Sequence, residues 1–216
     1  MVAYLLVILA YKASQERSAV DWQDDVAGAL GTLVRSAVVP AVYRSVADDT
    51  TGSDVLAILC AVDCTSLPEY FDIQKLLTPL LGYPGYLDIR VYETLQRESE
   101  AIEVPTSATK HYLVFNAMTP DDGVDGEFND WYADEHIPML RAVPGWRAST
   151  RFRLLSARAG TISRPPRYLA LHEWETREAF ATPEFKAATS TPWRRRVVVE
   201  RVHQKERHLL EYCSRM

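Results

Sequence analysis

Four side chains in the second half of the sequence have the types and spacing for proton-transfer chemistry: Tyr132, His136, Arg151 and His172. The first pair lies in "FNDWYADEHIPML", Phe128 to Leu140, where Phe128, Tyr132, Glu135/His136 and Met139/Leu140 recur at helical spacings of three and four. Pro138 has no N–H, so the carbonyl of Asp134 loses its helical donor and the turn around His136 opens. A histidine titrating near its ordinary value of about 6.5 can take a proton from a phenol or an activated carbon at neutral pH. Glu135 or Asp134 is the expected orienting group for its ring. The plainer reading is that His136 caps the freed carbonyl beside an ordinary proline kink.

His172 sits in "RYLALHEWE", where alternation places it on the same strand face as Trp174. Both are expected to point into the interior of the sheet assembly, where they can stack on a flat ligand and hydrogen-bond to it. Arg151 and Arg153 alternate with Phe152, and an inward arginine can hold a carboxylate or an enolate. A large part of the aromatic set is expected to fill core, yet four of the five tryptophans fall in the second half. Trp131, Glu135, Met139, Trp146, Phe152 and Trp174 are therefore the expected substrate-contacting set around the four catalytic candidates. The "WRRR" run from Trp193 reads as the basic last turn of a helix.

These residues need a scaffold, and the chain has the length and composition for one. It has 216 residues, 47% of them hydrophobic and 25% charged, with a net charge of −5. Those values describe a packed globular chain and argue against nucleic acid or an anionic membrane as the main partner. Cys60, Cys64 and Cys213 lack the spacing of a zinc set and read as reduced thiols, which points to the cytoplasm. The apolar run Val2 to Tyr11 is about half the length of a membrane span and lacks the flanks of a signal peptide, so it reads as a buried first strand. No Gly-rich phosphate loop, nucleophile elbow or zinc motif occurs, so no cofactor or metal is expected.

The order of elements is stated twice. "AYLLVILAYK" from Ala3 matches "HYLVFNAMTP" from His111, and "DVLAILCAVD" from Asp54 matches "RYLALHEWET" from Arg167. A shift of 109 residues, the separation of Trp22 and Trp131, also aligns Tyr43 with Phe152 and Arg44 with Arg153. Each half closes on a helical segment and a last strand, "YLDIRVYETLQ" and "VVVERVHQKERHLL". The expected fold is α+β: two tandem ferredoxin-like β-α-β-β-α-β repeats, 1–96 and 111–216, joined by a polar linker at 97–110, their antiparallel sheets packed into one barrel. The aligned position of His136 in the first half is Ala27, so one site per chain is expected, in the second half.

With "W-Y-x-x-E-H-I-P" at Trp131 to Pro138 followed by "VPGWRASTRFRLL", the chain resembles the dimeric α+β-barrel superfamily, and in particular EthD-like tandem-repeat proteins. The resemblance implies a small-molecule site between helices and sheet, without metal or organic cofactor, of the kind found in natural-product pathways. It implies proton-transfer chemistry on an aromatic or polyketide-like substrate, as in a cyclase, decarboxylase, dehydratase or isomerase. Cofactor-free oxygenation, a non-catalytic ligand-binding role and haem handling are the alternatives it leaves open. The barrel is expected to close within one monomeric chain or across a homodimer.

Overall fold

Eight strands, all paired antiparallel, form one closed barrel in a computed structural model that describes residues 3–11, 41–46, 55–63, 86–95, 111–159 and 164–215. The first half supplies β1 (Ala3–Tyr11), β2 (Ala41–Ser45), β3 (Val55–Asp63) and β4 (Tyr86–Thr94). From the second half come β5 (Tyr112–Pro120), β6 (Trp146–Ala159), β7 (Tyr168–Trp174) and β8 (Val202–Arg215). Around the barrel they run β1-β3-β2-β8-β5-β7-β6-β4. Each half thus keeps the strand order 4-1-3-2 of a ferredoxin-like sheet. The two sheets join edge to edge, β2 on β8 and β4 on β6, rather than only stacking face on face. Joining the edges removes the unpaired N–H and C=O rows that an open sheet leaves exposed. The linker at 97–110 and the helical segments of the first half lie outside the described residues.

Strand alternation sorts the side chains into a lumen and an outer, helix-facing layer. Tyr43, Tyr92, Leu113, Phe115, Phe152 and Leu171 belong to the lumen core. Beside them lies a buried ionic network. Arg90 lays Nε and Nη2 on the carboxylate of Asp88 at 3.1 and 2.7 Å, and its Nη1 is 2.7 Å from Glu206, which also meets His208 at 3.0 Å. Tyr43 and Phe152, aligned by the repeat, both face this lumen, while Arg44 and Arg153 are both exposed. His172 and Trp174 do share a strand face, but it is the outer one. Alternation fixes which residues go together; the handedness of closure decides which set faces inward.

The outer face of the second sheet is covered by short helices whose ends are written in the sequence. Helix α1 (Asp125–Trp131) continues through a π turn (Tyr132–His136) into α2 (Ile137–Arg141). The N–H of Ile137 reaches back five residues to Tyr132 O, and Pro138 next along has no N–H to restore four-residue bonding. After β7 come a 3₁₀ turn (Arg177–Ala181), α3 (Pro183–Ala188) and α4 (Pro192–Arg194). Thr182 and Thr191 each accept a backbone N–H at the helix start, with proline next in line, a cap and a preset φ together. The run Val197–Val199, expected as strand, belongs instead to a second π turn (Arg195–Val199), and β8 begins only at Val202. Val197 and Val198 are buried against Phe128 and Tyr168, and that packing overrides their strand propensity. Arg194 is the basic last residue of α4, and Arg195 and Arg196 open the π turn that continues it.

Gly145 makes the tight entry into β6 with φ +83, and an added Cβ would meet Thr176 Cγ2 at 3.1 Å. Gly145→Ala is expected to cost about 1–2 kcal/mol for the left-handed backbone alone, read as a lower urea midpoint with unchanged slope. Among the described residues, no helix is long and apolar enough to cross a membrane.

Candidate active site between the helices and the outer sheet face

The π turn and the outer face of β5, β6 and β7 bring Tyr132, His136, Arg151 and His172 together. Register explains the sheet side: Ser149 pairs with His172, Arg151 with Ala170, and Asn116 with Ala170 from the other edge. Ser149, Arg151, His172 and Asn116 therefore share one face. Above them, the π turn aims both Tyr132 and His136 at the sheet. The rings of His136 and His172 meet edge to face at 5.7 Å, and Tyr132 stands 5.4 Å from one and 6.3 Å from the other. Trp131 stacks on His136 at 4.5 Å.

His136 is 6% exposed and His172 3%. The Nδ1 of His136 lies 3.1 Å from the carbonyl oxygen of Ala188. A carbonyl only accepts, so Nδ1 carries the proton and Nε2 keeps its lone pair. His172 is held from the opposite side: Trp146 Nε1 donates to Ser149 Oγ at 3.0 Å, and Oγ lies 2.8 Å from His172 Nδ1. The hydroxyl can donate to Nδ1, which leaves the imidazole proton on Nε2, or accept from an Nδ1–H. That Nε2 is buried and has no hydrogen-bond partner. One histidine thus offers a lone pair beside a neighbour whose Nε2 is buried and unpartnered.

Burial, first of all, pushes His136 down to about 4, helped by the cations Arg194 and Arg151 and opposed by the Ala188 carbonyl. His172 is held well below the ordinary histidine value by burial, then by His136, Arg151 and Arg207. Both rings are neutral at pH 7. Burial raises the Tyr132 phenol, against the pull of Arg151 and Arg194 and a hydrogen bond from the Asn116 side chain. The Arg151 guanidinium lies over the Tyr132 ring, its Cζ 3.7 Å from the centroid, and burial lowers it to about 10.

The other residues singled out in the sequence take varied places. Glu135 does not orient His136. Its Oε1 receives Trp131 Nε1 at 3.0 Å and the Thr191 hydroxyl at 2.5 Å, clamping the π turn to α4, and the Ala188 carbonyl does the orienting. Trp131 forms the wall against His136. Trp146 acts one step removed, through Ser149. Met139 and Trp174 pack in the adjoining core with Phe180 and Phe185, not against the histidines. Phe152 is on the lumen side, since it alternates with Arg151, and stands apart from the cluster. Arg153 is exposed and paired with Glu93. Among the described residues, no group of three or more His, Cys, Asp or Glu can hold a metal.

Three contributors had only faint signals in the sequence. Asn116 is a lone amide inside the apolar run "YLVFNAM", a polar residue where a strand would bury an apolar one. Ser149 is two residues before Arg151 on the same strand face. The Ala188 carbonyl has no signal, since any residue carries one. Ser149→Ala leaves the buried His172 Nδ1 and the half-buried Trp146 Nε1 unpaired, so a loss of about 1–3 kcal/mol is expected in chemical denaturation. Ser149→Thr, which keeps the hydroxyl, should lose less.

Comparison with other proteins shows the fold and no more. No protein-family model matches the sequence, and no curated protein matches it. Among solved structures, an anthrone oxidase-like protein superposes with a TM-score of 0.66 at 15% identity, covering 99% of this chain and 92% of that one. A monooxygenase-like protein from Fusobacterium nucleatum gives 0.61 at 11% identity, over 99% of this chain and 93% of that one. A chlorite dismutase from Candidatus Nitrospira defluvii gives 0.60 at 11% identity, over 98% and 91%. At such identities the likeness establishes the architecture: the described residues fold as a ferredoxin-like α+β barrel.

Proposed function

We propose that the chain is a small-molecule enzyme in which His136 removes a proton from a phenol or an activated C–H of a flat aromatic or polyketide-like substrate. The observation that carries the reading is His136, its Nε2 lone pair fixed by the Ala188 carbonyl, with its ring 5.7 Å from that of His172, whose buried Nε2 has no hydrogen-bond partner. In the step, the C–H bond breaks and its proton goes to His136 Nε2. The electron pair moves onto the adjacent carbonyl oxygen as an enolate. In this reading His172 Nε2–H donates to that oxyanion and the nearby Arg151 cation favours its charge, in a buried site where fixed charges act most strongly. Return of the proton to another carbon gives isomerisation. Expulsion of a leaving group gives dehydration, and attack on a second carbonyl gives cyclisation. Decarboxylation reaches the same enolate by breaking a C–CO2 bond in place of the C–H bond, and a proton then returns to the carbon. None of these steps requires a metal or organic cofactor.

A second reading, oxygenation without a cofactor, is supported by the names of two whole-chain structural neighbours, an anthrone oxidase-like protein and a monooxygenase-like protein. In that case the carbanion reduces dioxygen, the co-substrate, and one oxygen atom enters the product while the other leaves as water. Anthrone in deuterated buffer separates the readings. Under argon, the protein should speed deuterium incorporation at the acidic methylene above the buffer rate. In air, oxygen uptake with quinone formation would select oxygenation, and exchange without uptake would select the non-oxidative reading. No exchange above buffer, across a panel of enolisable aromatic ketones, would sink both.

A further inference from the structure

Arg151 and Arg90 are both buried arginines in the same barrel, and their contrast says what the site is missing. Arg90 is 0% exposed and fills the side-on edge of its guanidinium, Nε and Nη2, with the Asp88 carboxylate. Arg151 is 5% exposed, and the same two atoms, Nε and Nη2, are buried with no hydrogen-bond partner. Tyr132 at 3.7 Å, with Phe128 and Tyr168 at 5.2 and 5.7 Å, covers the faces of the guanidinium by cation–π contact. None of these rings supplies an oxygen or nitrogen acceptor to Nε or Nη2, so that edge remains open. A buried cation without an anion is costly, and this edge has the parallel donor geometry that takes a carboxylate in bidentate fashion.

The surrounding charges have the same sign. The charged side chains that bear on His136 and His172 are Arg151, Arg194 and Arg207, all cationic. Arg194 also bears on Lys205, on the strand that carries Arg207. The nearby acids are engaged elsewhere: Glu135 on Trp131 and Thr191, Asp125 on Tyr168 and Arg167.

We propose that the site takes an anionic ligand, an aromatic or polyketide-like carboxylate whose two oxygens sit on Nε and Nη2 of Arg151, with its ring system reaching toward the histidines. This narrows the substrate class of the reading above and rests on the same cluster being a ligand site. Such an anion would offset the cations that depress His136 and so raise the basicity of Nε2 in the complex, where the base is needed.

The test compares 2-naphthoate with its neutral counterpart 2-naphthamide, titrated into the full-length protein at low salt and followed by tryptophan fluorescence or calorimetry. The carboxylate should bind at least roughly tenfold more tightly than the amide, the scale expected for hydrogen bonds to a charged group. Arg151→Met should bring the carboxylate down to the affinity of the amide. If that variant fails to fold, Arg151→Lys, which keeps the charge and loses the fork, should reduce the preference. His136→Gln should keep the preference, so loss of proton exchange with the preference intact would sink only the catalytic reading. Equal binding of acid and amide, no binding of the acid, or a preference that survives Arg151→Met would overturn the proposal.

Discussion

Between pH 6.5 and 4 the protein is expected to lose a large share of its stability, because the fold holds buried histidines neutral. Burial depresses His136 to about 4, while the unfolded chain titrates near 6.5. In that window the unfolded state binds the proton and the native state does not, so stability rises with pH and falls as the solution is acidified. The loss begins below about 6.5, grows as pH drops, and levels off once pH passes through about 4. For His136 alone the full span is about 3 kcal/mol at 1.36 kcal/mol per unit. His172 acts in the same direction, and so does His111, which burial and Arg147 depress to about 4. Against a typical stability of about 5–15 kcal/mol, such losses bring unfolding within reach by mildly acidic pH. Thermal scans from pH 7.5 to 4 check it: the midpoint should stay flat above pH 7 and fall steeply below 6.5. A flat midpoint down to pH 5 would mean that the rings are not held neutral.

His136→Gln should lower proton exchange on an enolisable aromatic probe by about 10²–10⁴-fold, the range contributed by a positioned base. Glutamine can still donate an amide N–H toward the Ala188 carbonyl, but it has no basic lone pair where Nε2 stands. The same variant removes one of the depressed histidines, so its midpoint should fall less than the parent's below pH 6.5. The two readouts separate roles. A residue that only filled space would change stability at neutral pH and leave exchange intact; a base held in a dry site changes exchange and acid sensitivity together. His172→Gln is expected to act more weakly on exchange, since it removes an oxyanion donor rather than the base.

The strands were the legible part of this chain, and the reason is physical. Runs such as "YLVFNAMTP" and "YLALHEW" are apolar enough to be buried on both faces, and each became a strand where expected. The doubled order of strands was legible as well, down to Tyr43 and Phe152 sharing the lumen. Pro138 announced that the helix opens near His136, though not that it opens as a π turn. "VVVE" misled, because β-branched residues favour strands in general and nothing local shows that Phe128 and Tyr168 wait to bury them in a turn. Which strand face becomes the lumen was not legible from alternation, and His172 and Trp174 were expected on the wrong side for that reason. The Ala188 carbonyl that fixes the His136 tautomer could not be read from any side chain. Partners that set a site through backbone atoms exist only once the fold does.

The central claim is that His136 presents an unprotonated Nε2 at neutral pH, and ¹⁵N-resolved NMR of the histidine rings tests it without any substrate. The account predicts a neutral ring with the proton on Nδ1 and a lone pair on Nε2, unchanged from pH 7 down to about 5 and titrating only near 4. Assignment of the ring signals follows from their loss in His136→Gln. A charged imidazole at pH 7, or a neutral one with its proton on Nε2, would contradict the account, since neither leaves a lone pair to take the proton.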